Sequence, residues 1–140
     1  MTSARHADNG VVEPWELHLW HADFLDACNR HDFAAIRSFL APAVRRAHLP
    51  GGADAWIDDL DDLFRAFPDW RWRRIQLVAE GDRLAAHLRG SGTHLGAFRG
   101  IAPTRRHVNV AEFSIARIEY GTIIDHTSTG PDEILTQIGR

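Results

Sequence analysis

The stretch Phe67-Pro68-Asp69-Trp70-Arg71-Trp72 marks the point at which the hydrophobic pattern of this chain changes. Before it, Trp56, Leu60 and Phe64 recur at the spacing of an amphipathic helix. Pro68 cannot continue that helix, because it lacks a backbone N–H and its ring clashes with the preceding turn. After it, large residues stand at alternate positions, which is typical of a half-buried strand. Helices followed by strands predict an α+β domain with an antiparallel sheet.

Turn and cap residues on either side of this stretch delimit the other elements. Helices are expected over residues 14–29 and over residues 131–138. A short helix is expected from Asp32 through Leu40, where Pro42 ends it, and another is expected after the loop Leu49-Pro50-Gly51-Gly52. Strands are expected over residues 70–79, 83–91, 106–118 and 122–127, with a glycine-rich loop over 92–103. Apolar residues change parity within the first strand, so a β-bulge is predicted near Arg73-Arg74.

Composition limits the class of protein. The chain has 140 residues, 44% of them apolar and 25% charged, so we expect one globular domain over residues 13–140 and a disordered polar segment over 1–12. No apolar run is long enough for a membrane span, and the first residues lack the apolar core of a signal peptide. Cys28 is the only cysteine. These features predict a cytoplasmic protein without a disulfide.

Charge and residue type exclude several functions. The net charge of -3 gives no electrostatic reason to expect nucleic-acid binding. All 16 basic residues other than histidine are arginine, so lysine Schiff-base chemistry and a P-loop are excluded. The carboxylates of Asp58, Asp59, Asp61 and Asp62 would point around a helix rather than converge. No metal site is therefore expected.

Five segments, in this order along the chain, resemble the SnoaL-like polyketide cyclase family of the nuclear-transport-factor-like superfamily. They are Phe67-Pro-Asp-Trp70, Val78-Ala-Glu-Gly-Asp-Arg83, Gly92-Thr-His-Leu-Gly-Ala-Phe98, Gly100-Ile-Ala-Pro-Thr104 and Gln137-Ile-Gly139. The resemblance implies a cone-shaped α+β barrel, in which N-terminal helices pack on a curved antiparallel sheet that encloses an apolar pocket. It also implies a homodimer through the sheet, and cofactor-independent cyclisation, dehydration or isomerisation in antibiotic biosynthesis.

The resemblance also directs attention to the last strand, where the cyclases carry their catalytic carboxylate. In this chain the corresponding run is Asp125-His126-Thr127-Ser128, and the family's aspartate falls on Ser128. A serine hydroxyl cannot serve as that base. We therefore expect His126 to be the acid–base group, with Asp125 or Glu112 tuning or sharing the role and Ser128 donating a hydrogen bond.

Each of these candidates has a structural alternative. His126 could be a hydrogen-bonded histidine near a strand end. Glu112 could lie on the solvated face of the sheet or pair with Arg89. His107 and Asn109 have the opposite parity to Glu112, so they compete with it for the pocket face.

Aromatic residues are numerous for a chain of this size, and a few lining a cavity would suit a flat hydrophobic substrate. His94 lies in the glycine-rich segment, where a structural role is favoured over a direct one. The predicted substrate-binding residues are Trp20, Phe24, Trp56, Phe64, His94, His107 and Asn109.

The sequence predicts a cofactor-independent enzyme that promotes cyclisation, dehydration or isomerisation of a hydrophobic polyketide-type intermediate by acid–base catalysis. One alternative is a non-catalytic protein of the same fold that binds a hydrophobic ligand. Another is a structural dimeric partner whose pocket is filled by side chains.

Overall fold

The computed structural model describes residues 13–139, so the predicted disorder of residues 1–12 lies outside the described residues. The elements, in chain order, are α1 (Pro14–Asn29), α2 (Phe33–Ser38), β1 (Leu40–Arg45), α3 (Gly52–Ala66), β2 (Arg71–Glu80), β3 (Arg83–Thr93), β4 (His107–Glu119), β5 (Thr122–Ser128) and α4 (Asp132–Gln137). None of the described helices is long and apolar enough to cross a membrane.

The first two helices begin where their sequence signals place them. Pro14 opens α1, and a capping box joins Glu13 to Glu16, whose Oε1 accepts from the Glu13 N–H at 2.8 Å. Asp32 caps α2, because its Oδ1 accepts from the backbone N–H of Ala35 at 3.1 Å. The predicted bounds of α1 are confirmed.

Residues 40–45 differ from the prediction. The sequence predicts a helix through Leu40 that Pro42 ends, whereas Leu40 begins β1, which pairs in parallel with β5 through Leu40 and Ile123. Strand β1 lies at the edge of the sheet, where the missing N–H of Pro42 is tolerated. Its partner lies some eighty residues along the chain, so no local pattern identifies the pairing.

The sheet has five strands in the order β1-β5-β4-β3-β2, antiparallel except for the β1–β5 pair. The predicted bulge in β2 is confirmed between Arg74 and Gln76. A second irregularity lies in β5, where Ile118 pairs with Ile123 but Arg117 pairs with Asp125. Ile124 is the extra residue there, so Ile123 and His126 both face the interior of the fold.

The inner face of the sheet packs against α1 and α3. Its buried residues alternate along β3 and β4 and include Leu84, Ala86, Leu88, Val108, Val110 and Ala116. Trp70 lies against β3 at the two glycines Gly90 and Gly92, where an added Cβ would come within 2.5 Å and 2.9 Å of its ring. The predicted α+β architecture is confirmed, as helices packed on a curved sheet that stays open at its edges.

Candidate active site

A cavity of about 450 Å³ lies between the inner face of the sheet and helices α1 and α3. Its wall is mainly apolar and includes Trp20, Phe24, Trp56, Trp70 and Trp72. Trp20 and Phe24 stack with their ring centroids 5.3 Å apart. Three of the four aromatic residues predicted to bind substrate therefore lie in the wall. The volume and the aromatic lining suit a small, flat, hydrophobic molecule.

Glu112 lies in this apolar wall, in the middle of β4. Its Oε1 accepts a hydrogen bond from the indole N–H of Trp72 at 3.1 Å. Burial raises the pKa of the Glu112 carboxyl, and the Trp72 hydrogen bond opposes that rise only in part. Arg89 instead bonds Asn109 on the other side of the sheet, with 2.9 Å between Nε and Oδ1. The alternatives of a solvated face or an Arg89 pair for Glu112 are therefore not realised.

His126 lies on β5 and faces the same cavity. Its ring packs against the indole of Trp56, with 4.5 Å between the ring centroids. The pKa of His126 is lowered to about 4, mainly by burial and also by the positive charge of Arg46, against a smaller opposing effect of Asp125. His126 is therefore a neutral imidazole over the physiological pH range.

Ser128 and Asp125 lie on opposite sides of the same strand. Ser128 pairs with Ser114 of β4, lines the cavity and is exposed, which places its hydroxyl at the mouth. Asp125 is not among the residues that line the cavity. Its Oδ2 pairs with Nη2 of Arg45 at 3.2 Å, where both side chains are exposed. Asp125 therefore acts on His126 through the field of its charge and not through contact with a ligand.

Two predicted site residues lie outside the cavity because of their parity on β4. His107 and Asn109 face the outer side of the sheet, opposite Glu112. The Nδ1 of His107 lies 3.3 Å from Oγ1 of Thr93. The backbone N–H and C=O of Asn109 bond the side-chain amide of Gln137, both at 2.9 Å. The expectation that they line the pocket is wrong, and Asn109 instead ties α4 to the sheet.

Phe64 and His94 are buried, but they also lie outside the lining of the cavity. Phe64 stacks on His31 with 3.6 Å between the ring centroids. The Nδ1 of His94 accepts from the backbone N–H of Thr104 at 3.1 Å, and its ring stacks on Phe67. Their expected place in the pocket wall is corrected: Phe64 belongs to the core, and His94 holds the loop after β3.

The structure adds two further buried titratable groups to the wall, His21 and Cys28. Burial, together with the charge of Arg74, lowers the pKa of His21 to about 4. The pKa of Cys28 is raised to about 12, mainly by burial and also by the nearby Glu112 carboxyl. Both side chains are therefore neutral near pH 7.

Arg46 lines the cavity but is not among the site residues predicted from the sequence. It follows β1 directly and lines the cavity beside Trp56. Nothing in the local sequence distinguishes it from Arg45, because the turn that separates their directions depends on the unpredicted strand β1. Trp72 could have been found, since the alternation from Trp70 places both indoles on one face.

Glu112 and His126 lie in the wall of one cavity, and their pKa values are shifted in opposite directions. Environments that push two pKa values in opposite directions are typical of an acid and a base that act in one site. A carboxyl with a raised pKa donates a proton, and an imidazole kept neutral accepts one. Among residues 13–139 no group of three or more His, Cys, Asp or Glu side chains is placed to hold a metal ion.

Solved structures with the same architecture span nearly the whole chain. TsrD from Streptomyces laurentii shares 23% identity over 91% of this chain and 98% of its own, with a TM-score of 0.81. AclR from Streptomyces galilaeus, proposed to be a hydroxylase, shares 22% identity over 91% of this chain and 83% of its own, also with a TM-score of 0.81. A SnoaL-like polyketide cyclase from Agrobacterium tumefaciens shares 26% identity over 86% of this chain and 95% of its own, with a TM-score of 0.73.

The sequence comparison agrees with the structural one. No curated protein matches this chain. The model of the SnoaL-like polyketide cyclase family matches residues 20–133, which include all five strands and the cavity between them and the helices. The chain belongs to the SnoaL-like polyketide cyclase family.

Proposed function

We propose that this protein is a cofactor-independent enzyme that cyclises a hydrophobic polyketide-type intermediate, or dehydrates or isomerises one, by proton transfer. The observation that carries the proposal is the presence of Glu112 and His126 in one apolar cavity, with their pKa values shifted in opposite directions. Family membership supports the cyclase type of reaction.

The proposed reaction begins at His126. Its neutral imidazole takes a proton from a carbon next to a carbonyl group, and the electron pair of that C–H bond moves toward the carbonyl oxygen to give an enolate. The enolate carbon then attacks a second carbonyl carbon of the same molecule and closes a ring. The oxygen of that second carbonyl takes the proton of Glu112. Imidazolium and carboxylate return to their starting forms by proton exchange with water.

The cavity contributes to this chemistry through position and dryness. Its aromatic wall would hold a flat substrate with few accessible conformations, which lowers the entropic part of the barrier. Ser128 at the mouth offers a hydroxyl that can donate to a substrate oxygen. Exclusion of water favours the neutral form of the Glu112 carboxyl, in the direction of its raised pKa.

Proton abstraction tests this proposal without knowledge of the natural substrate. A panel of aromatic 1,3-diketones that carry a third carbonyl group within reach of ring closure would be incubated in D₂O. Liquid chromatography and mass spectrometry would follow protein-dependent deuterium uptake at the carbon between the first two carbonyl groups, and the formation of cyclised product. We expect His126→Gln to abolish this uptake and Glu112→Gln to reduce cyclised product. His87→Gln and Glu80→Gln, on the outer face and at the end of β2, serve as matched controls. Full activity in both site variants would overturn the assignment.

A second candidate is a non-catalytic protein that binds a hydrophobic ligand. It is favoured by Ser128, which occupies the position that corresponds by resemblance to the catalytic carboxylate of the cyclases. Mass spectrometry under native conditions would then show a co-purified ligand that is released unchanged, with no deuterium uptake above the background. The third candidate, a structural partner with a filled pocket, is disfavoured because the cavity holds about 450 Å³.

We further propose a homodimer formed through the outer face of the sheet. That face exposes large apolar side chains, since Val78, Phe113 and Ile115 are 53–56% exposed. Phe113→Asp should convert a dimer to a monomer in sedimentation velocity, whereas Leu19→Asp on α1 should not. A wild-type monomer at 100 µM would contradict the proposal, because that concentration is roughly a hundred times a Kd of about 1 µM. Cytoplasmic location stays a prediction.

A further inference from the structure

Arg46 lies in the cavity wall, and the proposed steps make no use of it. Its Nη2 pairs with Oδ2 of Asp59 at 2.7 Å, and only 12% of its side chain is exposed. Its guanidinium carbon lies 5.3 Å from the ring centroid of Trp56, and that ring contacts His126 on the same strip of wall. A permanently charged group is therefore held close to the base.

This arrangement differs from the ion pair between helices α2 and α3, outside the cavity. There, Arg37 and Asp54 pair at 2.6 Å with 49% and 85% of their side chains exposed. Such a surface pair contributes little to stability. Arg46 instead keeps a charge in a largely apolar cavity, where desolvation is costly. Asp59 compensates only part of that cost, because a guanidinium has five N–H donors.

The charge of Arg46 also bears on the chemistry of His126. Alone, it opposes protonation of the imidazole, since two positive charges would lie close together. An anion between them reverses that effect, because it is attracted to both. An enolate formed from a bound carbonyl compound is such an anion, and it appears in the same step in which His126 becomes positive.

We propose that Arg46 is a catalytic residue that donates hydrogen bonds to the oxyanion formed when His126 removes a proton from the bound substrate. Asp59 holds its guanidinium in place. The C–H bond breaks, its proton forms an N–H bond on the imidazole, and its electron pair forms a C=C bond. The former C=O π electrons go to the oxygen, which Arg46 then stabilises. The identity of this step rests on the proposed function, but the anion preference of the site is independent of it.

Binding of a stable oxyanion tests the inference without turnover. The probes are 4-nitrophenolate, at a pH at which it is ionised, and 4-nitroanisole, which has nearly the same shape and no charge. Both are titrated into the full chain and followed by tryptophan fluorescence. We expect the wild type to prefer the phenolate, and Arg46→Gln to lose roughly tenfold to hundredfold of its phenolate affinity, as for a charged hydrogen bond. The affinity of Arg46→Gln for the anisole should not change.

Two further variants separate this role from a structural one. Arg37→Gln removes the same charge from a pair outside the cavity and should bind both probes like the wild type. Asp59→Asn keeps a hydrogen-bond acceptor but removes the competing negative charge, so it should bind the phenolate more tightly. The change in phenolate affinity is thus opposite in Asp59→Asn and Arg46→Gln, so Asp59→Asn tests the inference even if Arg46→Gln fails to fold.

The inference is overturned if the wild type binds the two probes equally, or if Arg46→Gln loses affinity for both by the same factor. It is also overturned if Asp59→Asn binds the phenolate no better than the wild type. These outcomes concern only the anion site. Failure of the proposed function would appear separately, as deuterium uptake that is unchanged in His126→Gln.

Discussion

The indole Nε1 of Trp72 donates a hydrogen bond to Oε1 of Glu112, with 3.1 Å between the two atoms. Because an indole nitrogen is only a donor, Oε1 must accept in every ionisation state of the carboxyl. The proton of neutral Glu112 therefore lies on Oε2. Trp72 is itself held by Asn29 of α1, whose amide bonds the backbone N–H and C=O of Trp72 at 2.7 Å and 3.0 Å. The end of α1 thus fixes the orientation of the acid.

Trp72→Phe should raise the pKa of Glu112 above its wild-type value. The indole N–H stabilises the carboxylate, so its loss leaves burial unopposed. Titration of the Glu112 carboxyl carbon by ¹³C NMR measures this change directly. Trp70→Phe is the matched control, because the Trp70 indole N–H is buried and bonds no other atom of residues 13–139. An equal pKa in wild type and Trp72→Phe would show that the bond is absent in solution.

Arg46→Gln should raise the pKa of His126 from about 4, because it removes a positive charge that disfavours the imidazolium. Asp59→Asn should lower that pKa, since Arg46 then acts without its counterion. The charged groups that bear on His126 are Arg46, which is paired with Asp59, and Asp125 on the outer side of β5. Titration of the His126 ring by NMR measures the change in its pKa in each variant. A change in the same direction in both variants would contradict the placement of the Arg46–Asp59 pair beside His126.

The stability of the wild type should fall with acid in a window set by His126. Its pKa is lowered to about 4 in the folded chain from an ordinary value of 6.5, so the unfolded chain binds the proton first. The free energy of unfolding is fully maintained above pH 6.5 and decreases toward pH 4, by at most about 1.4 kcal/mol per pH unit for this group. His126→Gln should flatten that slope in urea titrations at several pH values.

The acid slope has a second contributor and a simple control. His21 has the same direction of shift, so His21→Gln should also flatten the slope, and the double variant should flatten it more. Ser128→Ala changes a neighbour on the same strand without a titrating group and should keep the wild-type slope. If His126→Gln keeps that slope as well, the imidazole is not buried in the neutral form.

Gly90→Ala should destabilise the fold by about 1–3 kcal/mol, as expected for overpacking. The new Cβ would lie 2.5 Å from Cζ2 of Trp70, a side chain that is only 2% exposed and cannot move aside. Gly130→Ala is the matched control, because nothing lies within 4 Å of its Cβ position and its φ is not positive. Chemical denaturation measures the stability of both variants. Equal denaturation midpoints for Gly90→Ala and Gly130→Ala would show that Trp70 is loosely packed.

Alternation along β4 groups its side chains by face without identifying the face that is buried. Glu112 and the pair His107 and Asn109 must face opposite sides of a regular strand, and the sequence alone leaves open which side is the pocket. Burial of Val108, Val110 and Ala116 decides in favour of Glu112. The burial depends on α1 and α3 packing on that face, which is a contact between distant parts of the chain.

Local periodicity, turn residues and spacing predict the order of most elements, the boundary at Pro68, the bulge in β2 and the membership of a family. The other features depend on contacts between distant parts of the chain. Strand β1 exists because Leu40 meets Ile123, and the irregularity at Ile124 turns His126 inward. The same fold brings Arg46 to Trp56 and Trp72 to Glu112. Each of these depends on partners far apart in sequence, whose approach is fixed by packing and not by the residues on either side.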